Sequence, residues 1–317
     1  MYIYRKRIYI MKRKIVKTGQ NTSIISLPSE WIKKNKLEKG QFLEIEESGS
    51  VLKIYSTKKL KKGVILNLKN EGYWYIKRIL KRIYAAGYDQ IEINYTQVSQ
   101  MEYIRKSADY LEGFEIVQSK KGSCVLKNIL ELKELDHEEL LDNIIWLVHS
   151  QLDLFNESLS KNLKKSLREI EGINNSVIKL SHLGMRILNL KCKQDVVILK
   201  DLFLLFTSLF YLSAYLTYAA REVIDKNRKL SKEEKLLVEE TKELYEDLVY
   251  AYRKGDLEGV QKFFERRNET FERDIELLRN DNPDIVHFFL DFRREMVAIG
   301  NYFLSLNFEE KLGLVEG

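Results

Sequence analysis

A short N-terminal stretch constrains the fold of this 317-residue chain more than any other segment. Between Lys12 and Tyr55, runs of alternating or β-branched apolar residues are separated by glycines and by a Ser48-Gly49 hairpin signal, a pattern that predicts strands and tight turns. A segment this short holds too little apolar surface to form a core within one chain. We therefore expect a dimer. The predicted elements are strands at Arg13–Lys17, Thr22–Leu27, Gln41–Glu46 and Val51–Tyr55, and a short helix that begins at Pro28.

The charge of the chain is distributed unevenly. The net charge is +6, but residues 1–62 hold 16 Lys/Arg against 5 Asp/Glu, and the remainder holds 37 against 42. A basic head on an acidic body is typical of proteins that bind polyanions, and a Lys-rich surface without a partner is the alternative. Cys124 and Cys192 have no Cys or His at ligand spacing, which excludes a zinc motif and a disulfide framework and fits a cytoplasmic protein.

Residues 1–10 are basic and lack the apolar core of a signal peptide. Met11 directly precedes the first predicted strand. We therefore interpret the first ten residues as an artefact of an upstream start, with a disordered basic arm as the alternative.

The segment Lys58–Lys62 is a charged hinge, and strands alternate with helices after it. This alternation predicts a small α/β layer domain over residues 63–130. The first helix has a basic face made by Lys77, Arg78, Lys81 and Arg82, which we interpret as solvated surface rather than a nucleic-acid contact. The predicted elements are strands at Val64–Leu68 and Gln90–Tyr95, helices at Tyr73–Ala86 and Gln100–Leu111, and a hairpin of Glu115–Ser119 with Ser123–Lys127.

From Asp136 onward, apolar residues recur with the spacing of an α-helix. Helix-capping or helix-terminating residues mark the boundaries between the predicted helices. Similar phrases at Leu167–Ile170 and Phe263–Arg266 suggest two sets of three helices. Residues 136–309 are therefore predicted to form an all-α six-helix bundle. The predicted helices are 137–162, 164–191, 196–226, 231–253, 256–280 and 283–306.

The N-terminal segment resembles the SpoVT/AbrB family of DNA-binding domains. The matching residues are Lys17-Thr18-Gly19, Ser23–Leu27, Pro28, Trp31, Leu37, Gly40, Phe42 and Ile45. The resemblance implies that residues 11–57 form a swapped-hairpin β-barrel with a second chain, a homodimer through residues 11–56. It also implies that DNA is bound through the first strand and its loop. The residues expected to contact DNA are Lys12, Arg13, Lys14, Lys17, Gln20 and Asn21.

The body resembles archaeal relatives of PhoU, the phosphate-uptake regulators, in its two three-helix repeats and in the phrase Tyr252–Leu257. PhoU repeats usually carry carboxylates that bind a hard cation through oxygen. Here Gly172–Ile178 and Phe210–Ala214 carry none, and Val297–Asn301 has neutral residues at the acidic positions. We therefore predict no metal site; Glu265, Glu269 and Asn301 are the weak candidates that remain.

No sequence feature supports an enzyme or a cofactor. The four histidines have no metal-ligand or base spacing, and no phosphate loop or dinucleotide fingerprint occurs. The segment Leu202–Ala220 contains 19 consecutive uncharged residues, close to the length of a membrane span. Charged residues bound it tightly and its tyrosines need partners, so we expect protein rather than lipid to cover it.

The chain is thus expected to be a multidomain α+β protein that joins an AbrB-like barrel, a small α/β domain and a PhoU-like helical domain. The function expected is a cytoplasmic, DNA-binding transcriptional regulator, with phosphate homeostasis implied by resemblance alone. One alternative is an accessory protein that docks on a phosphate transporter or a signalling kinase. The other is an antitoxin-like DNA binder.

Overall fold

The computed structural model describes residues 11–20, 22–48, 50–56, 62–130, 136–159, 163–191, 196–226, 228–280 and 283–307. The chain divides into two compact units, residues 1–61 and 62–317. The second unit, called the body below, contains both a mixed sheet and the helical region.

The first unit, called the N-terminal module below, has two separate antiparallel hairpins and one short helix among its described residues. β1 pairs with β2, and β3 pairs with β4 through a six-residue register. β1 and β2 are shorter than the sequence predicts, and Pro28 precedes the helix as its N-cap instead of beginning it. The elements are β1 (Val16–Lys17), β2 (Ser23–Ile24), α1 (Ser29–Lys34), β3 (Leu43–Ser48) and β4 (Val51–Ser56).

The body begins with a four-stranded sheet in the order β5-β6-β8-β7, in which β5 and β6 are parallel and the other pairs are antiparallel. Ile76, Leu80 and Tyr84 on the first helix are fully buried, as are Ile91 and Ile93 of the sheet. The elements lie close to the predicted ones: β5 (Gly63–Asn67), α2 (Tyr73–Ala85), β6 (Gln90–Asn94), α3 (Val98–Ala108), β7 (Phe114–Lys120) and β8 (Ser123–Asn128).

The helical region has seven helices within the residues that the structure describes, not six. The predicted fifth helix ends at Glu269 and a new helix begins at Phe271. Thr270 lies at the break, where its hydroxyl donates to the Arg267 carbonyl and accepts from Arg293. The helices are α4 (His137–Ser158), α5 (Leu163–Lys191), α6 (Val196–Asp225), α7 (Lys232–Lys254), α8 (Leu257–Glu269), α9 (Phe271–Asn280) and α10 (Pro283–Asn307).

The apolar helix α6 lies at the centre of this region and packs against α4, α5 and α10. Within the described residues, Ile198–Ile224 is the segment long and apolar enough to cross a membrane, and most of its most apolar part is buried inside the protein. Leu209 and Leu212, for example, are almost fully buried. Protein therefore covers most of the long uncharged run.

A buried guanidinium organises the second half of the helical region. Arg293 on α10 is 1% exposed and forms an ion pair with Asp274 of α9, which is 2% exposed. Its Nε donates to the Thr241 hydroxyl over 2.8 Å, and its Nη2 donates to the Leu237 carbonyl over 3.1 Å. One side chain thus joins α7, α9 and α10.

Candidate DNA-binding surface and basic groove

The residues expected to bind DNA lie on β1 and on the segments around it. Lys12, Arg13, Lys14, Lys17 and Gln20 are all exposed. None of the four cations forms an ion pair with another residue that the structure describes. Asn21, the sixth predicted contact, lies outside the described residues. Within a single chain, the side chains that would bind phosphates are therefore available to a ligand.

The same module exposes much of its apolar surface. Helix α1 contains no buried residue. Phe42 is 87% exposed, Ile45 63%, Val51 52% and Leu52 54%. Because soluble proteins rarely leave a contiguous apolar surface in water, this module needs a cover that one chain does not provide.

A second feature, which the sequence did not predict as a site, is a groove of about 640 Å³ in the body. Helix α2 forms one wall, α6 forms the opposite wall, and α5 lies between them, since α5 packs against both. The four cations of α2, namely Lys77, Arg78, Lys81 and Arg82, all line this groove, and so does Arg221 of α6. The interpretation of the α2 face as plain solvated surface is therefore incomplete, because that face is one wall of a concave site.

Carboxylates are missing from the groove. No Asp or Glu occurs among the described residues that line it. Asn175, Phe210 and Ala214, at which a resemblance to PhoU would place acidic residues, lie on its walls instead. Arg221 pairs with Glu171, 2.8 Å from its Nε, whereas the four α2 cations form no ion pair with any described residue. The groove thus holds uncompensated positive charge.

Aromatic rings surround these cations. The Lys77 ammonium lies 3.9 Å from the centre of the Tyr110 ring, 5.6 Å from Tyr73 and 5.7 Å from Trp74. Such cation–π contacts hold the ammonium without neutralising it. Trp74 is 66% exposed, and Tyr211 and Tyr218 on the α6 wall are 42% and 47% exposed. All three line the groove and keep part of their surface in solvent.

Burial perturbs two titratable groups of the groove. Burial, reinforced by the neighbouring Lys77 charge, lowers the pKa of Lys81 to about 7. Burial, together with the nearby Lys81 charge, lowers the pKa of His182 to about 4. His182 is therefore neutral at pH 7, and Lys81 is poised between its two protonation states.

The groove walls are fixed by a buried arginine on α5. Arg186 donates to the carbonyls of Tyr84 and Tyr88 over 2.9 and 2.6 Å, and to the Asp89 carboxylate over 2.8 Å. Asn189 of α5 donates to the Ala85 carbonyl over 2.7 Å. The last carbonyls of a helix lack partners within the helix, so α5 satisfies the C-terminal end of α2 and holds the α2 wall in place.

The weak metal candidates Glu265, Glu269 and Asn301 are all exposed, and Glu265 accepts a hydrogen bond from Gln261 over 2.8 Å. A different group, which sequence reasoning missed, brings possible ligand atoms of His149, Asp153 and Glu246 within 4.8 Å of one another. These residues could offer ligands to a cation. The Lys242 ammonium, however, already lies 2.6 Å from Asp153 and 3.7 Å from Glu246 and compensates both carboxylates.

The sequence contained one usable signal for the groove. Cations at two positions four residues apart, Lys77 and Lys81, follow Tyr73 and Trp74 on the same helix. Residues four apart on a helix share a face, so the pattern places cations beside aromatic rings. The pattern gave no indication of the opposite wall, since α5 and α6 lie about a hundred residues later.

No protein-family model matches the chain, and no curated protein matches it either.

Proposed function

We propose that the protein is a non-enzymatic, cytoplasmic transcriptional regulator that binds DNA through its N-terminal module as a homodimer. One observation carries the proposal: the module exposes unpaired cations on and beside β1 while leaving its apolar side chains uncovered in a single chain. A second copy of residues 11–56 that pairs its hairpins with the first, as in a swapped-hairpin barrel, would cover those side chains. The two sets of cations would then form a single surface.

The physical basis of DNA affinity in this proposal is electrostatic. Lys and Arg that neutralise phosphates release condensed counterions, so the affinity falls steeply as salt increases. Base contacts in the major groove add sequence preference. A link of the helical body to phosphate homeostasis, through two PhoU-like repeats, belongs to the proposal and is supported by the sequence resemblance.

The test is a double substitution, Arg13→Ala with Lys17→Ala, in the full chain. We expect DNA affinity to fall by about 1–3 kcal/mol if one of the two side chains contacts a base edge, with a shallower salt dependence. DNA binding is measured by fluorescence anisotropy across a series of salt concentrations, with genomic fragments as probes.

The matched control is Lys33→Ala with Lys34→Ala, which removes two exposed cations from α1 of the same module. This control should retain most of the affinity. If the Arg13/Lys17 variant binds every DNA as the parent does, with its dimer intact, the regulator assignment is wrong. An accessory protein that uses the module only to dimerise would then be the better explanation.

A further inference from the structure

The basic groove has the composition of a site for a multiply charged anion. Four cations on α2 converge on it without carboxylate partners among the described residues. Uncompensated charges repel one another: burial lowers the pKa of Lys81, and the neighbouring Lys77 charge lowers it further. An anion with several negative charges would relieve this repulsion, because each nearby negative charge favours the protonated form of a lysine.

The groove is also lined by aromatic and neutral polar side chains, which binding of an inorganic anion would not require. Trp74, Tyr211 and Tyr218 line it, and each of these side chains is partly exposed. Exposed aromatic faces next to cations are the usual platform for stacking a planar ring. Asn174, Asn175 and Thr207 add neutral hydrogen-bonding groups to the lining.

The size of the groove agrees with a ligand larger than a phosphate ion. A volume of about 640 Å³ falls within the range of about 300–1,000 Å³ that is usual for pockets of drug-sized ligands. Arg186 and Asn189 bond to the end of α2, so hydrogen bonds within the protein hold this wall of the groove.

We propose that this groove binds a phosphorylated small molecule that carries an aromatic ring, as a nucleoside triphosphate does. The phosphates lie against Lys77, Arg78, Lys81 and Arg82, and the ring stacks on Trp74, across the groove from the α6 tyrosines. The proposal does not depend on DNA binding by the N-terminal module, because the groove is made entirely by residues of the body.

The experiment is isothermal titration calorimetry of the full chain with three probes: adenosine triphosphate, inorganic tripolyphosphate and adenosine. Adenosine triphosphate should bind at one site per chain. Tripolyphosphate and adenosine should each bind at least about tenfold more weakly, because each supplies only one half of the recognition.

Two variants separate the halves. Arg78→Gln with Arg82→Gln removes exposed charges, so the fold is retained, and should weaken adenosine triphosphate by at least about tenfold. Its matched control, Lys232→Gln with Lys235→Gln, removes two exposed charges from α7 and should leave the affinity unchanged. Trp74→Ala should weaken adenosine triphosphate but leave tripolyphosphate unchanged, whereas Trp146→Ala, at an exposed tryptophan of α4, should change neither.

Several results would overturn the proposal. Equal binding of adenosine triphosphate and tripolyphosphate, unaffected by Trp74→Ala, would mean that the site recognises charge alone. Loss of adenosine triphosphate binding in the Arg13/Lys17 variant, but not in the Arg78/Arg82 variant, would place the binding on the N-terminal module. If a single-stranded ten-nucleotide RNA loses affinity in the Arg78/Arg82 variant while adenosine triphosphate never binds, the groove is a nucleic-acid surface.

Discussion

The N-terminal module and the body solve the problem of apolar surface in opposite ways. In the body, whole faces of α4, α6 and α10 are buried within one chain, and side chains such as Leu209, Phe206 and Phe289 are at most 1% exposed. In the module, α1 has no buried residue and Ile45 is 63% exposed. The body therefore carries its stability within one chain, whereas we expect the stability of the module to depend on protein concentration.

The largest effect that would sharpen this comparison lies in the body, at Arg293. Replacing Arg293 by Leu leaves Asp274 buried and without its main partner, which is expected to cost about 3–5 kcal/mol of the free energy of unfolding. Urea unfolding followed by circular dichroism measures the loss. Arg294→Leu is the control, because the Arg294 side chain is 75% exposed and its partner Asp291 keeps a contact with His287 over 3.3 Å. It should cost at most about 1 kcal/mol. Equal costs for the two variants would contradict the proposed role of the buried network.

A smaller effect is expected in the module, at Ile45. Ile45→Lys removes the burial of one large apolar side chain from the proposed dimer, worth about 1.5–3 kcal/mol, and so weakens the dimer while the body unfolds as before. Analytical ultracentrifugation over a dilution series measures the dissociation. Ile65→Lys is closely matched, since Ile65 on β5 is 61% exposed, but it belongs to the body. A dimer that is weakened by Ile65→Lys and not by Ile45→Lys would mean that the body, not the module, holds the two chains together.

The smallest effect concerns Lys81 and the pH dependence of the body. Its folded pKa of about 7 lies below the ordinary value of 10.5, so between these values the unfolded state binds more protons. The free energy of unfolding of the body should therefore rise as pH increases from 7 to 8.5. Below pH 7 the cost of burying the Lys81 charge is fully present. Lys81→Met should stabilise the body at pH 7, because it removes the cost of burying a charge, and should flatten this rise. Thermal unfolding at pH 6.5, 7.5 and 8.5 tests this, and an unchanged slope would show that Lys81 is not the group responsible.

The elements of the body could be predicted from sequence because their signals are local. Alternating apolar residues located β6 and β8 within one or two residues, and the Ser231–Glu234 capping box marked the start of α7, where both reciprocal hydrogen bonds form. The break at Thr270 could not be predicted. The sequence around Thr270 carries no strong helix-stop signal. The Thr270 hydroxyl instead accepts from the guanidinium of Arg293, which lies on a later helix.

The two candidate sites also differ in how far apart in the sequence their residues lie. The cations on and before β1 lie within six residues of one another, so the sequence shows the basic stretch directly, and the family resemblance singled out Arg13 and Lys17 within it. The groove combines α2 with α5 and α6, whose residues Asn175 and Tyr211 come about a hundred positions or more after Lys77. Periodicity on α2 indicates only that one helical face is basic; it does not indicate which surface that face will meet.

The carboxylate of Asp89 links helix α5 to the point at which the chain enters the body. One of its carboxylate oxygens accepts from Arg186 on α5, and the other accepts from the backbone N–H of Lys62 over 3.0 Å, where the polypeptide enters the body. One carboxyl group thus joins α5, which contributes to the lining of the groove, to the point at which the chain enters the body. A displacement of α5 that moves Asp89 would therefore also act on Lys62, whose carbonyl accepts from the backbone N–H groups of Asp89 and Gln90.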